Sequence, residues 1–263
     1  MKHKLLTALF TATTAVLMFF IGNASAFKVE THVWIAQNVI NDLKDDGALN
    51  FKIDNQSIDI KVPTKVKESI LNHQIQYRLG NIGPDSFPGI FEGQMVIHPG
   101  SEDGGWGTGD WLEHVLKSAN TQKETAFAYG FIGHAASDIF AHTYVNHYSG
   151  DSYQLTDQEV EVEKRHFLLE GHIAKHMPPL ISEDGRSLGT PSELILGESN
   201  EIPVPVDFLH RVFIDDNLAA EEFSKNSANH ISLVHNLNQS ITEMANSSML
   251  ANFDRDLKNI YWR

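Results

Sequence analysis

Gly133-His134-Ala135-Ala136-Ser137-Asp138-Ile139-Phe140-Ala141-His142 sets two histidines and an aspartate at four-residue intervals. An α-helix turns about 100° per residue, so i, i+4 and i+8 fall within roughly 80° of one another on one face. The stretch from Thr121 to Tyr148 reads as one long helix, and its Ala126, Ala128, Gly130, Gly133, Ala135 and Ala136 let other helices approach closely. His166 and Glu170 repeat the four-residue step on a second predicted helix. Two helices thus aim five ligand-type side chains at one space. A lone histidine is more simply a core or surface residue. Here three candidates share a face that is otherwise apolar or small, with Phe127, Phe131, Ile132, Ala135 and Ala141. A carboxylate among such residues is costly unless it is paired or metal-bound. Imidazole and carboxylate are the ligands zinc accepts where cysteine is absent, and the chain has no cysteine. The pattern points to a multinuclear zinc site. His147 lies roughly 220° round the helix from His134, off that face, and His172 and His176 face away from His166.

The flanking composition bounds the class. Lys2 and Lys4, an apolar run from Leu5 to Ile21 and Ala24-Ser25-Ala26 form the pattern of a secretory signal peptide over residues 1–26. The mature chain would be one domain, 27–263, secreted or periplasmic. Loss of two lysines and no acid takes the formal charge from −14 to −16. Such a surface disfavours passive binding to nucleic acid or anionic lipid, and no stable nucleic-acid partner is expected. Without cysteine no disulfide holds the fold, so stability rests on an ordinary core, aided by bound metal.

Helical signals dominate the rest, and the fold class is all-α, a single multi-helix domain. Thr31 is read as the cap of a helix to about Leu43, with Val33, Ala36, Ile40 and Leu43 on its apolar face. Asp54 to Val62 reads as short and extended. Thr64 caps a helix that runs to Leu79 and stops at Gly80. Gly83 to Gly109 holds eight glycines and three prolines, a long loop of the kind that carries function. A short helix is predicted from Asp110 to about Ala119, and another from Asp157 to His176. On the latter, the charged run Glu159–Arg165 suits solvent, and Phe167, Leu168 and Leu169 mark where the helix becomes buried. Thr190-Pro191 starts a shorter helix, and Val206 to Trp262 supports two or three more.

Four stretches in order carry a family resemblance. They are Thr31-His32-Val33-Trp34-Ile35-Ala36, Gly83-Pro84-Asp85 with His98-Pro99, Gly133-His134-Ala135-Ala136-Ser137-Asp138, and His166 to Glu170. Together they resemble the zinc-dependent phospholipase C family, whose wider superfamily includes fungal-type single-strand-specific nucleases and GPI-specific phospholipase D. The resemblance implies that superfamily's all-α fold and three zinc ions. One would be held by Asp85, His98, His134 and Asp138, a second by His142, His166 and Glu170. The third would use His32, Asp138 and the amine and carbonyl of Phe27, freed by signal cleavage. His114 is a rival to His98. The step from Asp138 to His142 is four residues, as in GPI-specific phospholipase D, where the phospholipase C pattern has six.

The resemblance implies a zinc-dependent phosphodiesterase acting on phospholipids or other phosphodiesters, with transient contact at a membrane surface. Zinc would acidify a water and offset charge on the phosphate, and Asp85 is the candidate catalytic carboxylate that orients or deprotonates that water. Alternatives on the same scaffold are a nuclease or a phosphomonoesterase. A different class of answer is a non-catalytic metal-binding surface protein.

Overall fold

A helix of 28 residues, Gln122–Ser149, is the beam on which the rest of the domain is hung. Its start is fixed by a capping box, in which the Glu124 amide donates to Thr121 Oγ1 at 3.1 Å and Glu124 Oε2 accepts from the Thr121 amide at 3.0 Å. Its end is fixed by Gly150, whose φ of +117° ends the helix with a left-handed turn. The computed structural model describes residues 28–86, 108–150, 160–182, 184–196 and 204–215. In chain order these form α1 (Val29–Asp45), a hairpin of β1 (Ala48–Ile53) and β2 (Gln56–Lys61), α2 (Thr64–Asn72) and α3 (Gln74–Ile82). A 3-10 turn (Gly83–Ser86), α4 (Thr108–Lys117), α5 (Gln122–Ser149) and α6 (Val160–His176) follow. Short α7 (Pro191–Leu196), α8 (Val206–His210) and a π-helical turn Arg211–Asp215 complete the described part. Among the described residues the only sheet is that two-stranded hairpin, so the mostly-α reading holds. No described helix is long and apolar enough to cross a membrane.

α3 packs closely on α5. A Cβ at Gly80 would run into the Phe127 carbonyl, and one at Gly130 into the Tyr77 carbonyl and, at 2.7 Å, into Gly80 Cα. The two backbones therefore touch where both helices lack a side chain. This corrects the expectation that Gly80 ends a helix. Gly80 lies inside α3, where it is needed for close approach, and the chain turns instead at Gly83, with φ of +58°. The expected Thr64–Leu79 helix is likewise two helices, broken at His73, whose ψ of 51° is outside the helical range. The first helix begins at Val29, with Lys28 in the cap position and no side-chain cap, so Thr31 lies within its first turn. Its expected apolar face, Val33, Ala36, Ile40 and Leu43, is buried as read.

Two large apolar clusters flank α5, and a small third one forms where Ala141 meets Ile35 and Ile173. The larger joins Val33 of α1, Ile82 of α3, Trp111 and Val115 of α4, Phe127 and Phe131 of α5 and Phe208 and Phe213 near the end of the described chain. Trp111, Phe131, Phe208 and Phe213 are fully buried, and burying each such side chain favours folding by about 1.5–3 kcal/mol. The smaller cluster joins Ala36, Ile40 and Leu43 to Ile70, Tyr77 and Ala126. A buried guanidinium ties three helices together. Arg78 donates to Gln37 Oε1 at 2.9 Å on α1, to the Leu194 carbonyl at 3.0 Å on α7 and to Gln74 Oε1 at 3.2 Å on its own helix. Burial brings its pKa down to about 10, so it stays charged at neutral pH.

The hairpin turns at Asp54-Asn55, both with positive φ (49° and 65°), the conformation of a two-residue turn that matches strand twist. The expected extended segment is its second strand. The first, Ala48–Ile53, was not foreseen, although Asp-Asn between two apolar runs is its signal.

If backbone contact positions α3 on α5, a single methyl should be felt. Gly130→Ala is expected to destabilise the domain by about 2–3 kcal/mol or more, read as a lower urea midpoint at unchanged slope. Gly171→Ala on α6, whose methyl would meet nothing within 4 Å, should be neutral or stabilise by about 0.5–1 kcal/mol. Equal midpoints for the two variants would refute the packing argument.

Candidate metal centre

The first turn of α1, the 3-10 turn after α3, the middle of α5 and the middle of α6 come together in a buried cluster. His32, Asp85, His134, Asp138, His166 and Glu170 are all buried there. The His142 side chain, at 29% exposed, borders solvent. One ligand atom each from His32, His134 and Asp138 lies within 4.8 Å of the others. The imidazoles of His32 and His134 stack with centroids 4.3 Å apart. Asp138 divides its carboxylate between two groups, with Oδ1 3.8 Å from His32 Nε2 and Oδ2 3.3 Å from His142 Nε2. Asp85 Oδ2 lies 3.9 Å from His32 Nε2 on the other side. The second group continues from His142, whose ring centroid is 5.6 Å from that of His166. His166 Nε2 is 2.8 Å from Glu170 Oε1.

Local structure explains why these side chains point inward. His134, Asp138 and His142 follow the i, i+4, i+8 face of α5, and His147 is exposed on the far side, against Tyr148. His166 and Glu170 take the inner face of α6, while His172 and His176 are exposed and stack on each other at 4.0 Å. Gly83 has φ of +58° and lies flat on the His134 ring, where a Cβ would be 2.7 Å from Cγ. That turn carries Asp85 into the cluster. Leu168 departs from expectation. It is 73% exposed, because the residue two after His166 on a helix lies roughly 200° away from it.

The hydrogen bonds behind the imidazoles set their tautomers. His134 Nδ1 is 3.0 Å from the Asn81 carbonyl, which only accepts, so Nδ1 carries the proton. Ser137 Oγ donates its proton to the His134 carbonyl at 2.9 Å. It must therefore accept from His32 Nδ1, 3.0 Å away. His32 then turns its Nε2 toward Asp138 and Asp85. Metal-ligating histidines are commonly held by such backing bonds. His32 is held neutral, its pKa well below 6.5 through burial first, then the neighbouring His134. Imidazoles and buried carboxylates within reach of one another are a donor set that fits zinc.

Lys28, Ser137 and Asn81 were not singled out from the sequence. Lys28 is buried and its ammonium is 3.3 Å from Glu170 Oε2 and 4.9 Å above the Phe167 ring. Its signal is a lysine four residues before His32, just ahead of the first helix. His114, the rival to His98, is half-buried, with Nε2 3.3 Å from the Val212 carbonyl and its ring 5.8 Å from that of Trp111. Phe27 and His98 lie outside the described residues.

Residues 31–189, more than half of the chain, match the family model described as zinc dependent phospholipase C. That span contains the described cluster residues other than Lys28. No curated protein and no solved structure gives a match.

The backing bonds have a measurable consequence. Ser137→Ala removes the acceptor that holds His32 without touching a ligand atom. It is expected to weaken zinc binding by about 10–100-fold while the fold is kept. Titration of the metal-stripped protein, followed by calorimetry, checks this; unchanged affinity would disprove the backing role.

Proposed function

Because the chain belongs to the zinc-dependent phospholipase C family, we propose that it is a phospholipid-hydrolysing phosphodiesterase. It cleaves the phosphodiester bond at a zinc cluster built from the grouped histidines and carboxylates. The supporting observation is the divided carboxylate of Asp138, which stands between His32 and His142 and so links two donor groups into one centre. His32, Asp85, His134, Asp138, His142, His166 and Glu170 are the described ligands of this reading, with Phe27 and His98 completing a three-ion set. Residues 1–26 are the export signal and 27–263 the catalytic domain, acting outside the cytoplasm.

Bound zinc supplies positive charge for the phosphoryl oxygens and lowers the pKa of water. The protein supplies the rest. His32 stays neutral, and His32 and His134 are oriented by Ser137 and the Asn81 carbonyl. Asp85, buried near His32, orients the attacking water and takes its proton; the water oxygen bonds to phosphorus as the bond from phosphorus to the lipid oxygen breaks, and that oxygen takes a proton from solvent. The products are a diacylglycerol-type alcohol and the phosphorylated headgroup. A formal charge of −14 disfavours a polymeric nucleic acid. The four-residue step from Asp138 to His142 keeps nuclease and phosphomonoesterase activities within the test.

Two measurements decide it. Metal analysis of the mature protein is expected to give about three zinc per chain, and fewer than two would end the trinuclear reading. On a panel of phosphatidylcholine, other phospholipids, single-stranded DNA and a nucleotide monoester, turnover should be highest on a phospholipid. Asp85→Asn should reduce it by at least about 10³-fold if the carboxylate both binds and takes a proton. A rate near the parent's would remove Asp85 from the mechanism.

A further inference from the structure

Lys28 stands at the joint between two helices that carry separate parts of the cluster. Its backbone belongs to α1, since its carbonyl accepts from the Thr31 amide at 2.8 Å and from the His32 amide at 3.3 Å. Its side chain leaves that helix for α6. There the ammonium lies 3.3 Å from Glu170 Oε2 and 4.9 Å above the Phe167 ring. Both partners of the ion pair are withdrawn from water, at 6% and 0% side-chain exposure. Lysine is almost never fully buried unless it is paired, so Glu170 is what holds this ammonium inside.

Glu170 has a second claim on it. Its Oε1 lies 2.8 Å from His166 Nε2, and the His166 ring faces that of His142 at 5.6 Å. Among the described residues neither Glu170 oxygen accepts a hydrogen bond, and both are buried. A carboxylate so placed is costly unless positive charge stands beside it. Lys28 supplies one such charge. A divalent cation held by His142, His166 and Glu170 would bring two more to the same carboxylate. Like charges this close in a water-poor site repel strongly, and one carboxylate does not offset both cations.

We infer that Lys28 and a metal ion compete for Glu170, which makes Lys28 the residue that sets the metal affinity of the position formed by His142, His166 and Glu170. The inference rests on the zinc reading of the cluster given above. Without metal, the ion pair neutralises Glu170 and keeps α6 docked on the start of α1. Zinc displaces the ammonium: the Lys28 backbone stays with α1, and the flexible four-carbon stem carries the charge away. The same pair therefore holds the metal-free domain together and lowers the zinc affinity of this position.

Lys28→Met keeps an apolar stem and removes the charge. Mature parent and variant are stripped of metal, checked for folding by circular dichroism, and supplied with zinc in a calorimeter. The binding step that belongs to this position is the one that His142→Ala abolishes. Lys28→Met should tighten that step at least about tenfold, because the repelling charge is gone. It should also lower the urea midpoint of the metal-stripped protein, because Glu170 loses its counter-charge. A folded variant with equal or weaker zinc affinity overturns the inference and leaves Lys28 a structural ion pair. Should the stripped variant not fold, amine labelling of the parent decides. With brief acetic anhydride treatment read by mass spectrometry, Lys28 is expected to react at least about threefold faster with zinc bound, once its ammonium leaves Glu170. The exposed Lys123 serves as the reference, and equal or slower labelling of Lys28 overturns the inference. If the parent shows no zinc step that His142→Ala removes, the zinc reading itself falls. If that step exists and Lys28→Met leaves it unchanged, only the competition falls.

Discussion

The bare backbone contact of Gly80 and Gly130 governs how the domain is put together. Because neither helix carries a side chain there, α3 settles against α5 at a distance no other pair of residues would allow. That distance lets the Asn81 carbonyl, one residue on, reach His134 Nδ1. It also lets Gly83 lie on the His134 ring and deliver Asp85. A looser α3 would leave the His134 tautomer undefined and Asp85 out of range. The geometry of the cluster is therefore set by packing that contains no ligand.

Electrostatics make the second demand. Asp85, Asp138 and Glu170 are withdrawn from water close to one another, and an isolated buried carboxylate is costly. Lys28 meets part of that demand at Glu170. His32 does not meet it by protonation, since burial and the adjacent His134 keep it neutral. A neutral His32 beside buried carboxylates is an arrangement that a divalent cation satisfies. This agrees with the zinc-dependent family to which the chain belongs.

Much of this was readable from spacing. The four-residue steps at His134, Asp138 and His142 and at His166 and Glu170 sufficed to foresee that those side chains share a space, because helical periodicity is local. The extent of α5 and the buried face of α1 were legible for the same reason. What misled was context. Gly80 looked like a helix end because glycine is a weak helix former, and only its neighbour across the helix interface reveals its purpose. Leu168 looked like a core residue from its neighbours in sequence, yet the position of His166 turns it outward. Lys28, Ser137 and Asn81 were missed because a backing hydrogen bond or an ion pair joins residues far apart in the chain and leaves no periodic trace.

The dispersal of the cluster along the chain has a kinetic side. Its residues come from α1, the turn after α3, α5 and α6, and the ion pair of Lys28 with Glu170 joins the first described residue to the last ligand-type one. Contacts so remote in sequence close large loops, whose entropy must be met before they add stability. The hairpin and the paired helices α3 and α2 can order from nearby residues alone. The His166 and Glu170 half of the centre needs α6 to dock, whereas His32, His134 and Asp138 need only α1 and α5, so a chain stalled before α6 arrives would hold one half of the centre and lack the other.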